Sequence, residues 1–275
     1  MRIGTTSFIH PGSWLENVQR LAPRFDDIEI LFFEADGEGS LPSPHECRAL
    51  LDEKRTHGLS YSLHTPLAAS LASEDERRRR AGIHSVLSAL DVARVFEPEN
   101  VVVHVYHGDT EHSAVRPADL GAWRARAAAS LSAIVDAGVP AERLCVELLD
   151  YDYGLIEPVV NDLGLSVALD VGHLVRDGLD ELALLERLLP RTRIVQWHGT
   201  EPGGRDHRSL EHYPSERALA LLRTLARHEY AGVLTLEVFR SADLERSSQL
   251  LAGWLAQLGR RWPARAGGLG VRGSR

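Results

Sequence analysis

Two kinds of apolar pattern alternate along the chain. Short runs rich in Val, Ile and Leu occur near residues 2–8, 27–33, 59–64, 100–106, 143–148, 165–170, 193–198 and 233–239. Runs of that length read as strands buried on both faces. Between them apolar residues recur at helical spacing: Trp14 to Leu21, Pro44 to Thr56, Glu74 to Phe96, Ala118 to Ala137, Gly154 to Leu163, Leu179 to Leu189, Ser215 to His228 and Leu244 to Leu258. Gly58, Gly138, Gly164 and Gly232 each stand shortly before the next strand, where a helix exit calls for glycine. Eight strands alternating with eight helices predict an α/β fold, a single (β/α)8 barrel. A doubly wound open sheet is the competing architecture. Its glycine-rich first turn is missing, because IGTTSF is followed by IHPGSW.

Composition narrows the picture. The 275 residues are 44% hydrophobic and 25% charged, an ordinary composition for one large globular domain. No linker, repeat or low-complexity block divides them, so residues 1–261 are expected to form the barrel. Residues 262–275, ending PARAGGLGVRGSR, are expected to be a disordered tail. Cys47 and Cys145 have no CxxC spacing and read as reduced thiols of a cytoplasmic protein. No apolar stretch reaches the roughly 18 residues of a membrane span, and MRIGTTSFIH is already a strand rather than a leader. A net charge of −8 argues against nucleic acid as a partner. The run Arg77 to Arg80 follows Ser73, Glu74, Asp75 and Glu76, and reads as the solvated face of a Ser-capped helix. Lys54, in a helical stretch, is the only lysine, so imine chemistry has no candidate at a strand end. The phosphate-binding pattern GxxxxGK[ST] is also missing.

Six successive strands end in a metal-type ligand: SYSLH in His64, VVVHV at His104, CVELL at Glu147, VALD in Asp170, IVQWH in His198 and LTLEV at Glu237. In a barrel of this kind, side chains at the C-terminal ends of the strands converge on one mouth. A carboxylate in an apolar strand costs several kcal/mol unless charge or metal compensates. Asp170 and His173 form ALDVGHL, in which Gly172 is expected to turn the backbone so that His173 returns to the mouth. The loop GGRDHRSL adds Arg205, Asp206 and His207. This set of nitrogen and oxygen donors, without thiolate, predicts two or three divalent ions bridged by Glu147, with Zn or Mn favoured and Fe compatible. His57, His84 and His228 read as surface or capping residues. His10, His107, His112 and His212 lie in loops after strands, within reach of a substrate.

With these residues in view, the chain resembles the xylose-isomerase-like barrel superfamily, which includes the endonuclease IV-type enzymes, over about residues 1–260. For that endonuclease type the resemblance implies a trinuclear zinc site on His64, His104, Glu147, Asp170, His173, His198, Asp206, His207 and Glu237. The loop differs, since the family's Asp-x-His is here the adjacent pair Asp206-His207. The segments RIGTTSFIHP, DDIEILFFE, LPSP, GLSYSLHTPL, CVELLDYDY, LSVALDVGHL, GRDHRSLEHYP and GVLTLEVF resemble more closely the cobamide-remodelling phosphodiesterases (CbiR type). That resemblance implies hydrolysis of the nucleotide-loop phosphodiester of cobamides such as coenzyme B12, giving cobinamide phosphate and α-ribazole. For such a hydrolysis Glu147 and Glu237 are expected to be catalytic, Arg205 to contact the phosphate, and Tyr106, Tyr151 and Trp197 to pack against corrin or base. A sugar isomerase or epimerase using Glu147 and Glu237, an apurinic endonuclease and a non-catalytic cobamide binder are the alternatives.

Overall fold

The computed structural model describes residues 1–34, 40–107, 118–149, 151–260 and 262. Eight parallel strands close into a barrel in sequence order: β1 (Arg2–Thr6), β2 (Asp27–Leu31), β3 (Ser60–His64), β4 (Asn100–Val103), β5 (Leu144–Glu147), β6 (Ser166–Asp170), β7 (Thr192–Trp197) and β8 (Val233–Leu236). β8 pairs back onto β1, with Arg2 opposite Val233 and Thr5 opposite Leu236. The expected architecture is the observed one.

The outer layer comprises α1 (Trp14–Leu21), α2 (Pro44–His57), α3 (Glu76–Ala93), α4 (Leu120–Asp136), α5 (Glu157–Asp162), α6 (Val171–Arg176), α7 (Glu181–Leu188), α8 (Ser215–Arg227) and α9 (Ser241–Gln257). Local chemistry sets several starts. Ser13 and Glu16 make a reciprocal capping box for α1, and Ser43 caps α2 ahead of Pro44. Gly58 ends α2 in the left-handed region at φ 58°. Two expectations are corrected. Asp75, not Ser73, caps α3; Ser73 Oγ instead accepts the Asp75 amide one step earlier. The stretch expected to be helical from Gly154 to Leu163 divides into a 3₁₀ turn, Tyr153–Leu155, and the short α5, because Pro158 cannot supply an amide to a continuous helix.

Strand alternation divides the core. Outward residues such as Ile28, Ile30, Tyr61, Leu63, Val103 and Val146 pack beneath the helices in one large cluster. A separate cluster of Val102, Cys145, Ala168 and Ile194 fills the barrel interior. Two residues further along the same strand face come His104, Glu147 and Asp170, and four beyond Ile194 comes His198. The barrel floor is thus apolar under β4–β7, and the next layer carries the candidate ligands.

Trp262 packs against Phe25 with ring centroids 5.3 Å apart. Residues 263–275 and His112 lie outside the described residues. Cys47 and Cys145 are free and buried. Among the described residues no helix is long and apolar enough to cross a membrane. Lys54 sits at the opposite end of the barrel, where its Nζ donates to the Glu97 carbonyl at 2.6 Å.

Candidate metal centre

His64, Glu147 and Asp170 are the last residues of their strands, while His104, His198 and Glu237 follow theirs by one position. All six are buried. One oxygen of Glu147, Oε2, meets His104 Nε2 at 2.9 Å and His64 Nε2 at 3.2 Å. The other ring nitrogens are tied down. His64 Nδ1 lies 2.9 Å from the Thr65 carbonyl and His104 Nδ1 lies 2.6 Å from the Tyr106 hydroxyl, which donates to Leu67 O. Holding the Nδ1 protons there leaves both Nε2 atoms for the site.

A second group gathers His173, His198 and His207. The Nε2 atoms of His173 and His207 are 3.3 Å apart, and His207 Nδ1 is 3.0 Å from the Glu237 carbonyl. His207 adopts φ 51°, a left-handed conformation uncommon for a residue with a side chain, which folds its ring back over the site. His198 Nδ1 sits between the Gly199 carbonyl at 3.2 Å and the His207 amide at 3.0 Å.

The route by which His173 reaches the mouth differs from the expected glycine turn. Asp170 ends β6 and caps α6, its Oδ1 accepting the His173 amide at 2.8 Å. Gly172 lies inside this helix, and its missing side chain serves a different end. A Cβ there would fall 2.2 Å from Cε1 of His198.

Three-ligand groups connect the two clusters: Glu147, Asp170 and His173; Asp170, His198 and Glu237; and Glu29, His64 and Glu237. Eight of the nine expected ligands belong to at least one group, and Asp206 to none. Its Oδ2 accepts from Arg176 Nη1 at 2.6 Å and lies 3.6 Å from His173 Nε2. Glu29 was missed in the sequence. Its signal was present in β2, where Asp27 and Glu29 alternate with Ile28 and Ile30 and so face the barrel interior.

The charge balance is severe. Burial pushes the Glu147 carboxyl up, but His104 and His64 outweigh it and hold it below the ordinary range. Burial depresses His64, and Glu147 more than reverses this, raising it to about 9. Burial likewise pushes Asp170 up before His173 and His198 drive it well down. Glu237 is forced well above the ordinary range by burial and by the neighbouring Asp170, Glu29 and Glu147. Burial and the adjoining His198 and His173 press His207 down to about 3. Glu237 Oε2 and Glu29 Oε2 are buried without a hydrogen-bond partner, and His198 Nε2 and His173 Nδ1 have the Asp170 carboxylate near them, at 3.2 and 3.5 Å. Each unpartnered atom costs about 1–3 kcal/mol. Buried nitrogen and oxygen donors left unsatisfied in three-ligand groups fit divalent ions, which would engage them directly.

The residues expected to bind substrate fall in different places. Trp197 is corrected: it is fully buried on the outer face of β7, stacked on Trp254 at 5.6 Å, and cannot touch a ligand in the mouth. Tyr106 is buried against His104, positioning that imidazole. Tyr151 is nearly buried, stacks on His107 at 4.1 Å and donates to the Val105 carbonyl. Arg205 is exposed and pairs with Glu201 at 2.9 Å. His10 is half-buried beside Asn17, and His212 ends a 3₁₀ turn next to Glu211. His84 is exposed, while His57 and His228 pair with Glu53 and Glu186.

A closed parallel barrel carrying buried His, Asp and Glu groups at the strand ends defines a class of fold and site. The sequence matches the xylose isomerase-like TIM barrel family over residues 17–258, and the chain belongs to that family. Among solved structures it is similar to a D-tagatose 3-epimerase-like protein (TM-score 0.75, 20% identity, covering 94% of this chain and 98% of that one). It is also similar to endonuclease IV from Thermus thermophilus (TM-score 0.69, 22% identity, 94% and 100% covered). A third is the IOLI protein with a bound zinc atom (TM-score 0.72, 15% identity, 94% and 99% covered). At these identities the likeness is one of fold. No curated protein matches the sequence.

Proposed function

We propose that this protein is a metal-dependent phosphodiesterase that opens the nucleotide-loop phosphodiester of a cobamide, releasing cobinamide phosphate and α-ribazole. The observation that carries the reaction class is the size of the donor set. His64, His104 and Glu147 form one group and His173, His198 and His207 another, joined through Glu147, Asp170 and His173. That is more than one ion requires and suits a centre of two or three. The cobamide substrate rests on the segment resemblances described above.

His64, His104 and Glu147 would hold one ion, and His173, His198 and His207 another, with Asp170 and Glu237 between them. When bound, such ions supply neutralisation of the phosphate charge and an activated water. The chain's own residues orient that chemistry. Tyr106 and the Thr65 carbonyl fix the His104 and His64 rings, and Asp170 fixes the first turn of α6 and with it His173. Arg205, on the same loop as His207 and exposed beside Glu201, would contact the substrate phosphate by exchanging that carboxylate for it.

A sugar epimerase is the second reading. Asp170 belongs both to the group containing Glu147 and to the group containing Glu237, so the two glutamates flank one carboxylate. A glutamate pair placed so suits proton exchange at a sugar carbon. Incubation with coenzyme B12 and Mn²⁺ or Zn²⁺, with products identified by mass spectrometry, separates these readings. Cobinamide phosphate and α-ribazole are expected. Turnover of ketohexoses with coenzyme B12 untouched would establish the epimerase instead, and cleavage of abasic duplex DNA the endonuclease.

A further inference from the structure

Six large apolar side chains are exposed among the described residues, and three of them, Phe8, Phe33 and Leu67, lie just past the C-terminal ends of β1, β2 and β3. Phe8 is 52% exposed, whereas Phe25, Phe32 and Phe96 are buried. Its ring meets Phe33 edge to face at 4.8 Å and Phe239 at 6.2 Å. Phe239 in turn stacks on the His207 imidazole at 4.4 Å with 28° between the planes. An aromatic surface therefore runs without a break from the candidate metal centre to solvent. Rings left in water at a mouth that converges on buried ligands are a recognition surface rather than packing.

We propose that Phe8, Phe33 and Phe239 form an aromatic subsite for a planar, base-like heterocycle of the substrate, seated while the scissile phosphodiester lies on the ligand cluster. The choice of occupant follows from shape and chemistry. The rings meet edge to face, at 71° and 77°, so they form a compact apolar corner against which one flat ring system can lie. Phenyl rings offer faces and edges but no hydrogen bonds, so they suit a flat heteroaromatic better than an amide-fringed macrocycle. The subsite deepens the phosphodiesterase reading and rests on it for the position of the phosphate.

The test is calorimetric titration of the metal-loaded full chain with α-ribazole, with cobinamide phosphate and with ribose 5-phosphate, alongside coenzyme B12 kinetics. In F8S/F33S the α-ribazole affinity is expected to fall about tenfold. Metal content and ribose 5-phosphate binding should hold, and KM for coenzyme B12 should rise with kcat nearly unchanged. Val95→Ser, exposed beyond the other end of the barrel, should behave as wild type. If F8S/F33S does not fold, Phe8→Leu keeps an apolar side chain, removes the ring and should still weaken α-ribazole. Wild-type protein that binds no α-ribazole would overturn the subsite, as would a variant that loses cobinamide phosphate instead. If α-ribazole binds and is lost in F8S/F33S while coenzyme B12 is never cleaved, the subsite stands and the phosphodiesterase reading falls.

Discussion

Gly172 lies against the imidazole of His198, so close that a Cβ at 172 would fall 2.2 Å from Cε1 and 2.3 Å from both ring nitrogens. Gly172→Ala adds a good helix former within α6, yet the methyl must displace a buried ring. The expected outcome is a folded protein that loses at least about tenfold in metal affinity at the His173, His198 and His207 group, in line with other disturbances around ligands. Circular dichroism with metal titration checks it, and wild-type affinity in the alanine variant would refute the packing argument.

Tyr106 is expected to act through His104. Removing its hydroxyl in Tyr106→Phe frees the His104 Nδ1 proton to adopt other tautomers and orientations. Metal affinity should drop about 10- to 100-fold while the folded state persists. Titration of the metal-free protein with Zn²⁺, followed by thermal melting, distinguishes this from a general loss of structure.

The loop pair should divide unequally. His207 belongs to a three-histidine group, whereas Asp206 is engaged by Arg176. His207→Ala is expected to abolish one equivalent of bound metal, and Asp206→Asn to weaken that equivalent about tenfold without removing it. Elemental analysis of both variants decides; equal loss from both would show Asp206 to be a ligand of the same rank.

Metal removal exposes the buried charges to titration. In the chelated protein Glu29 is raised to about 8, by burial and then by Glu147 and Asp27 against the pull of His64, and His64 is raised to about 9. Groups raised in the fold contribute stability below their ordinary pKa and lose it as pH rises through the folded value. Glu147 and Asp170 are depressed, so their contribution is present above the ordinary carboxylate range and is lost as pH falls. The melting temperature of the chelated protein should therefore peak near about pH 5 and decline toward pH 9. Glu29→Gln should lessen the decline between about pH 5 and 8, leaving the parts due to Glu237 and His64. A melting series in buffered chelator tests both slopes.

Trp197→Ala should destabilise the fold by about 3–5 kcal/mol, the range for emptying a buried aromatic site. Denaturant titration measures that loss. KM for any substrate should remain within about twofold in the metal-loaded variant, because the ring packs on Trp254 away from the mouth.

The sequence by itself determined the barrel and placed most of the candidate ligands at its mouth. Eight buried strands and the helices between them follow from local periodicity, and a ligand at a strand's end must face the common mouth once the strands are parallel. His64, His104, Glu147, Asp170, His198 and Glu237 were legible for that reason, since their positions depend on short-range alternation alone. Contacts across the barrel were decided only in three dimensions. Gly172 opposite His198 and Arg176 on Asp206 join residues 26 and 30 positions apart. Phe239 on His207 joins two different loops. Trp197 reads as a mouth residue beside His198, yet alternation turns successive side chains to opposite faces and sends its indole into the core. Periodicity specifies which face a residue occupies. Which partner it meets there depends on how the elements pack around the closed barrel.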